Sequence, residues 1–305
     1  MDYILITDNL TKTYKGHFKA LDNLNMRIPK GSIYGFVGRN GAGKTTLIRL
    51  ITGLQEPTDG EYCLYGSWNT DTAIEKSRRR MAAVVETPSL YLDMTARQNL
   101  ESQCMVLGLP SCESLDDLLD LVGLSEAGSR KVRNFSLGMR QRLGIAIALC
   151  GDPDFIILDE PINGLDPQGI IEVRELILKL NHEKGITFLI SSHILDELSR
   201  LATHYGFIES GSIVRQISAP ELEAACRKAQ RLRVSSTKVL CMVLDRLGLE
   251  YRVVDDSTCD VFSAFRATDL VNALDKEGCL VESIAEKDES LEGYFISLVG
   301  GKSNE

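Results

Sequence analysis

Gly38-Arg39-Asn40-Gly41-Ala42-Gly43-Lys44-Thr45 is the stretch that decides the fold. It has the spacing G-x-x-x-x-G-K-[ST]. Before it runs Ser32-Ile33-Tyr34-Gly35-Phe36-Val37, short, apolar and rich in strand formers. After it, Lys44 to Ile51 reads as a helix. A strand, a glycine-rich loop and a helix in that order make a cradle for phosphate. The glycines let the backbone curl, so that successive N–H groups point at phosphate oxygens. The helix N-terminus adds its partial positive charge. Lys44 has the reach for β- and γ-phosphates, and the Thr45 hydroxyl suits a Mg²⁺ ion. Thr46 completes the candidate phosphate-binding set.

Farther along, Phe155-Ile156-Ile157-Leu158 reads as a buried strand, with Asp159 and Glu160 at its exit. Asp159 suits a Mg²⁺ shell, and Glu160 suits a base that polarises water. Neighbouring residues on a strand point to opposite faces, so a turn is required for the two carboxylates to converge.

The chain has 305 residues, 44% of them hydrophobic and 25% charged, as in ordinary globular proteins. That length suggests roughly two domains. The formal net charge of -9 lacks the basic excess of a nucleic-acid binder. No stretch approaches the ~18 apolar residues that a membrane span needs. Met1 to Leu10 carries Asp2 and Asp8 and no basic region, unlike a signal peptide. The eight cysteines are scattered with no CxxC pair, and are expected to be reduced thiols. The compartment expected is the cytoplasm.

Strand-like and helix-like segments alternate, which argues for an α/β protein. Met81 to Val85 and Thr187 to Ile190 read as strands. Thr95 to Leu107, Glu113 to Val122 and Ser136 to Cys150 read as helices. A domain boundary is expected near Ala219-Pro220, followed by a linking helix from Glu221 to Gln230. Beyond it the pattern reads strand (232–235), helix (239–247), strands (251–254 and 260–264), helix (269–277), strand (280–285) and a final helix near 291–298. The βαββαβ order suggests a small ferredoxin-like domain.

Three further runs give the sequence a family likeness. They are Phe135-Ser136-Leu137-Gly138-Met139-Arg140-Gln141, Asn163-Gly164-Leu165-Asp166-Pro167 and Ser191-Ser192-His193. In this order, with the phosphate loop and Asp159-Glu160, they resemble the ATP-binding cassette (ABC) ATPases over about residues 3 to 220. The likeness is greatest to ATPase subunits of drug, bacitracin and lantibiotic-immunity exporters, which share the Ser-Leu-Gly-Met form and a C-terminal extension. The resemblance implies a P-loop NTPase: a RecA-like core with a helical subdomain near 87–150 and an antiparallel β subdomain within residues 1–219. Residues 220–305 would form an α+β accessory domain.

It also implies roles for particular residues. Tyr14 would stack on adenine. Gly38 to Thr46 would hold the phosphates of ATP, with Mg²⁺ on Thr45 and Asp159. Glu160 would be the catalytic base and His193 the γ-phosphate sensor. Ser136, Gly138 and Asp166 would serve the nucleotide of a second, head-to-tail copy. Glu86 stands where the family commonly has a glutamine that contacts the metal or the attacking water. It is expected to be the residue coupling hydrolysis to transport, and bacitracin-type and lantibiotic-immunity ATPases resemble this chain in having glutamate there. Leu90, Tyr91, Leu92 and Met94 lie where the family forms a groove for a helix of an integral-membrane permease. The protein would then sit on the inner face of the membrane through that permease. An importer subunit, or a soluble ABC ATPase acting on ribosomes or DNA, is the alternative. The single phosphate loop and the absence of a heptad run between Lys44 and Asp159 weigh against the soluble class.

Overall fold

The computed structural model describes residues 2–109, 115–226, 229–287 and 291–300. The chain opens with two long strands, β1 (Tyr3–Thr13) and β2 (Lys19–Pro29), then β3 (Ile33–Val37) and α1 (Lys44–Ile51). β4 (Asp59–Leu64), β5 (Ser67–Trp68), α2 (Ile74–Arg78) and β6 (Met81–Val84) follow. Helices α3 (Ala96–Leu107), α4 (Leu115–Leu121) and α5 (Leu137–Leu149) come next. Then come β7 (Phe155–Asp159), α6 (Pro167–Lys184), β8 (Thr187–Ser192), α7 (Leu195–Ser199), β9 (His204–Glu209) and β10 (Ser212–Ser218). The rest is α8 (Ala219–Ala225), β11 (Ala229–Val234), α9 (Thr237–Leu247), β12 (Tyr251–Val253), β13 (Thr258–Val261), α10 (Ala267–Lys276), β14 (Val281–Lys287) and α11 (Leu291–Gly300).

Two compact units emerge, Met1–Ala219 and Pro220–Glu305. In the first, the described strands form two sheets. One is antiparallel, in the order β2-β1-β4-β5. The other runs β10-β9-β3-β8-β7-β6, parallel from β9 to β6, with β10 as an antiparallel edge. β3, β7 and β8 are buried along their whole length, so they read as continuous apolar runs. A single cluster of buried side chains joins the two sheets through α1. Leu5, Leu24 and Met26 pack in it with Phe36, Leu47, Ile48 and Ile157.

Local chemistry sets where the helices begin. Thr95 and Gln98 form a reciprocal capping box at α3. Ser136 caps α5, and Asp166 caps α6 ahead of Pro167, whose fixed φ suits a first helical position. The cap at Asp166, Pro167 and the terminal Gly185 are sequence signals for α6 that the motif reading passes over. Of the expected helix Glu113 to Val122, Glu113 and Ser114 lie outside the described residues, as does Cys112.

The second unit has the strand order β12-β13-β11-β14, every pair antiparallel. With βαββαβ along the chain, this is the ferredoxin-like arrangement. Leu240, Val243 and Leu244 of α9 join Leu270 and Leu274 of α10 in a core with Leu232, Val234 and Val261. Cys259 lies in that core, and burial pushes its thiol up to about 11, so it stays protonated and acts as an apolar side chain. The seven described cysteines form no disulfide.

Two expected elements are shifted. The linking helix stops at Ala225, and the chain is already in β11 at Ala229. Gln230 pairs with Val261 on one side and Glu286 on the other, so sheet pairing on both edges overrides local helical preference. The strand expected at 260–264 is β13, which ends at Val261. There the chain turns, and the Phe262 N–H donates to the Glu250 carbonyl at 2.8 Å. Among the described residues no helix is long and apolar enough to cross a membrane.

Ile157 is fully buried at the centre of β7. Ile157→Ala is expected to cost about 2–5 kcal/mol, through lost transfer energy and the cavity left behind. A lower urea midpoint with unchanged slope would register it.

Candidate nucleotide site

The parallel sheet brings its strand exits to one level. Val37 pairs with Ser192, and Asp159 with Ser191. The phosphate loop leaves β3, the acidic pair leaves β7 and His193 follows β8. This C-terminal edge is where open parallel sheets bind ligands.

The loop is closed tightly against its surroundings. Gly43, which precedes α1, has φ 110°. A Cβ there would stand 2.5 Å from the Ala20 carbonyl oxygen and 2.8 Å from Leu21 Cδ2. Lys44 follows, only 6% exposed. Its Nζ donates to the Gly38 carbonyl at 2.7 Å and the Arg39 carbonyl at 3.3 Å. It also lies 3.5 Å from Glu160 Oε1. A buried ammonium must have such partners.

Asp159 and Glu160 converge by the required turn. Asp159 ends the strand, and Glu160 adopts left-handed backbone at φ 49°. The Glu160 N–H donates to the Ser191 carbonyl at 3.1 Å and the Ser191 hydroxyl at 3.0 Å. Thr45 Oγ1 donates to Asp159 Oδ2 at 3.0 Å, and the Ser191 hydroxyl donates to Asp159 Oδ1. The far oxygen of Glu160 accepts from Asn163 Nδ2 at 3.1 Å and lies 3.2 Å from His193 Nδ1. Lys44, Thr45, Asp159, Glu160 and His193 are therefore one bonded cluster. Ser191 and Asn163 belong to it without having been assigned roles from sequence, although both sit in quoted motifs.

A buried carboxylate and a hydroxyl at one point are hard oxygen donors of the kind Mg²⁺ takes. Among the described residues no three His, Cys, Asp or Glu side chains gather as a metal cage. This donor set fits an ion that draws its remaining oxygens from phosphate and water.

A cavity of about 370 Å³ adjoins the cluster, lined by Tyr14, Phe18, Ala20, Asn40, Gly41, Gly43, Lys44, Thr45, Thr46 and Glu160. Tyr14 donates its hydroxyl to Gln55 Oε1 at 2.6 Å, and Lys12 Nζ stands 5.7 Å from its ring centroid. Phe18 is 62% exposed and joins the lining because the Tyr14 N–H bonds the Phe18 carbonyl across a turn. No motif signalled Phe18.

Other expected residues stand apart from the cavity. Glu86 follows β6 with φ 61° and pairs with Arg49 at 2.8 Å. Ser136 accepts from the Met139 N–H at 3.2 Å, and Asp166 from the Gly169 N–H at 3.1 Å. The two caps are neighbours, since a Cβ on Gly138 would lie 3.4 Å from Gly169 Cα. A second cavity of about 420 Å³ runs beside β6, lined among others by Val85, Pro88, Leu90, Leu107, Gly144 and Ile147. Tyr91, Leu92 and Met94 are exposed near it.

A family profile described as ABC transporter matches residues 21–163. The bacitracin transport ATP-binding protein BcrA of Bacillus licheniformis is 41% identical over 304 residues, covering 99% of this chain and 99% of that protein. This chain belongs to the ABC transporter ATP-binding proteins. As a member, it binds and hydrolyses ATP. The lantibiotic transport ATP-binding protein SrtF of Streptococcus pyogenes is 44% identical over 212 residues, 69% of this chain and 89% of that protein. Among solved structures, cbiO1 of Clostridium perfringens, part of an ABC transporter complex, superposes with TM-score 0.66 at 26% identity, covering 81% of this chain and 97% of that one. A dimeric cassette in a post-hydrolysis state bound to ADP and Pi superposes at 0.63 and 27%, covering 70% and 98%.

Gly43→Ala is expected to weaken ATP binding at least ~10-fold, because a Cβ meets a backbone carbonyl and φ there is unfavourable for any L side chain. Equilibrium binding of a fluorescent ATP analogue measures it.

Proposed function

We propose that this chain powers export of a peptide antibiotic of the bacitracin or lantibiotic kind through a separate membrane permease. The observation that carries the reading is the end-to-end match to a bacitracin transport ATP-binding protein, 99% of both chains, which includes the C-terminal unit. The C-terminal unit is read as an accessory domain.

The geometry supports a division of labour. Tyr14, tethered by Gln55, offers its ring to adenine at one end of the cavity. Phosphate oxygens would take over the Lys44 ammonium from the two loop carbonyls, with the N–H groups of Gly38 to Thr46 around them. Thr45 and Asp159 would hold Mg²⁺, with Glu86 available from the neighbouring strand exit. Such an ion, when bound, neutralises phosphate charge and polarises the γ-phosphorus. Glu160 accepts the proton of the attacking water. Asn163 and His193 hold its far oxygen, and Lys44 faces its near one.

Ser136, Gly138 and Asp166 do not line this chain's own cavity. They fit a head-to-tail homodimer, each copy presenting a capped helix start to the partner's nucleotide. The cavity beside β6, where Val85, Leu90, Leu107 and Ile147 stand among polar neighbours such as Thr87 and Gln103, suits a short amphipathic helix of the permease, which would hold the protein at the inner membrane face. The net charge of -9 disfavours a nucleic-acid role.

Glu160→Gln should keep ATP affinity within about threefold and slow hydrolysis ~10²–10⁴-fold, the range for a lost general base. Captured from detergent-solubilised cells with Mg·ATP, this variant should bring down a multi-span membrane protein. Co-expressing that protein with the native chain should raise resistance to bacitracin or a lantibiotic, and Lys44→Ala should abolish the gain. Capture of ribosomes or DNA without a membrane partner would sink the reading.

A further inference from the structure

Three carboxylates leave two adjacent parallel strands. β6 and β7 pair in register from Met81↔Phe155 to Val84↔Leu158. Carried two residues onward, that register sets Glu86 level with Glu160. Both residues adopt left-handed backbone, at φ 61° and 49°. Their side chains nevertheless go to different cations. Glu160 faces Lys44, while Glu86 pairs with Arg49 at 2.8 Å.

Helix α1 supplies both cations. Thr45 and Arg49 are four residues apart, so they share a face, one turn or ~6 Å along the axis. That face gives a hydroxyl to Asp159 and, one turn farther from the phosphate loop, a guanidinium to Glu86. We propose that Arg49 is a positioning residue that holds the Glu86 carboxylate one turn away from the phosphate and metal site, and releases it when Mg·ATP binds. The inference rests on the reading of Glu86 given above.

Charge and exposure argue for it. Asp159 and Glu160 adjoin the phosphate loop, Glu86 leaves the neighbouring strand, and a bound triphosphate would add further negative charge beside them. An unpaired Glu86 would repel it, and Arg49 cancels that charge before metal arrives. The pair is also easily exchanged. Glu86 is 65% exposed and Arg49 39%, and exposed ion pairs are weak. A glutamate in left-handed backbone is uncommon and persists only where its surroundings hold it.

The test combines Arg49→Met and Arg49→Lys with native Glu86 and with Glu86→Gln, all in full-length protein. Metal-free ATP affinity is read by equilibrium binding, and metal affinity of the ATP complex by Mn²⁺ EPR. With native Glu86, Arg49→Met should weaken metal-free ATP about threefold and tighten Mn²⁺ about threefold, a size set by the modest strength of exposed pairs. Arg49→Lys should restore both. With Glu86→Gln, Arg49→Met should change both much less, because no carboxylate is then released. Equal effects in both backgrounds, or none with native Glu86, would overturn the proposal and leave Arg49 a surface residue. Failure of the native protein to bind ATP at all would instead overturn the reading of the site, and this inference with it. Unchanged thermal midpoints separate either result from misfolding.

Discussion

A buried ammonium governs this site. Lys44 sits almost out of solvent, held by two carbonyls of its own loop and by Glu160. Burying a cation is costly unless anions or dipoles surround it. The loop must therefore curl around it, and curling requires Gly43 at a φ that other residues avoid. The curl in turn aims α1 so that Thr45 meets Asp159. Ligand recognition and local folding thus rest on one constraint: the carbonyls that shelter Lys44 are weaker partners than phosphate oxygens would be.

Around that constraint the parallel sheet acts as a ruler. Parallel register puts the ends of β3, β8 and β7 at one height, so loops far apart in sequence deliver side chains to one place. Two left-handed glutamates, 86 and 160, follow the ends of neighbouring strands. Such backbone costs free energy and clusters at functional sites. Here it bends each chain out of strand geometry just where a carboxylate must leave the sheet plane. Ser191 then anchors the turn at Glu160 by accepting its N–H while donating to Asp159. One serine therefore orients both acidic residues.

Much of this is legible in the order of residues. The phosphate loop, the strand before Asp159 and Glu160, and the caps Ser136 and Asp166 are local patterns with local physics. The helix α1 begins and ends where its pattern says. The second unit's βαββαβ order is likewise readable from alternating apolar runs. The boundaries of β11 and β13 are not, because pairing partners dozens of residues away decide where a strand starts and stops. Phe18 and Gln55 enter the site through a turn and a hydrogen bond between distant residues, so no motif signals them.

The sequence by itself determined the chemistry on offer: a phosphate cradle, an acidic pair, a histidine after a strand, and enough apolar pattern for an α/β core. Those features depend on neighbours in the chain, within a few residues of one another. The tertiary structure alone decided which charges meet. Glu160 goes to Lys44 and His193, and Glu86 goes to Arg49. The reason is physical. Ionic partners are selected by distance and shielding, and across strands and helices both are set by register and packing, which no local stretch of residues encodes.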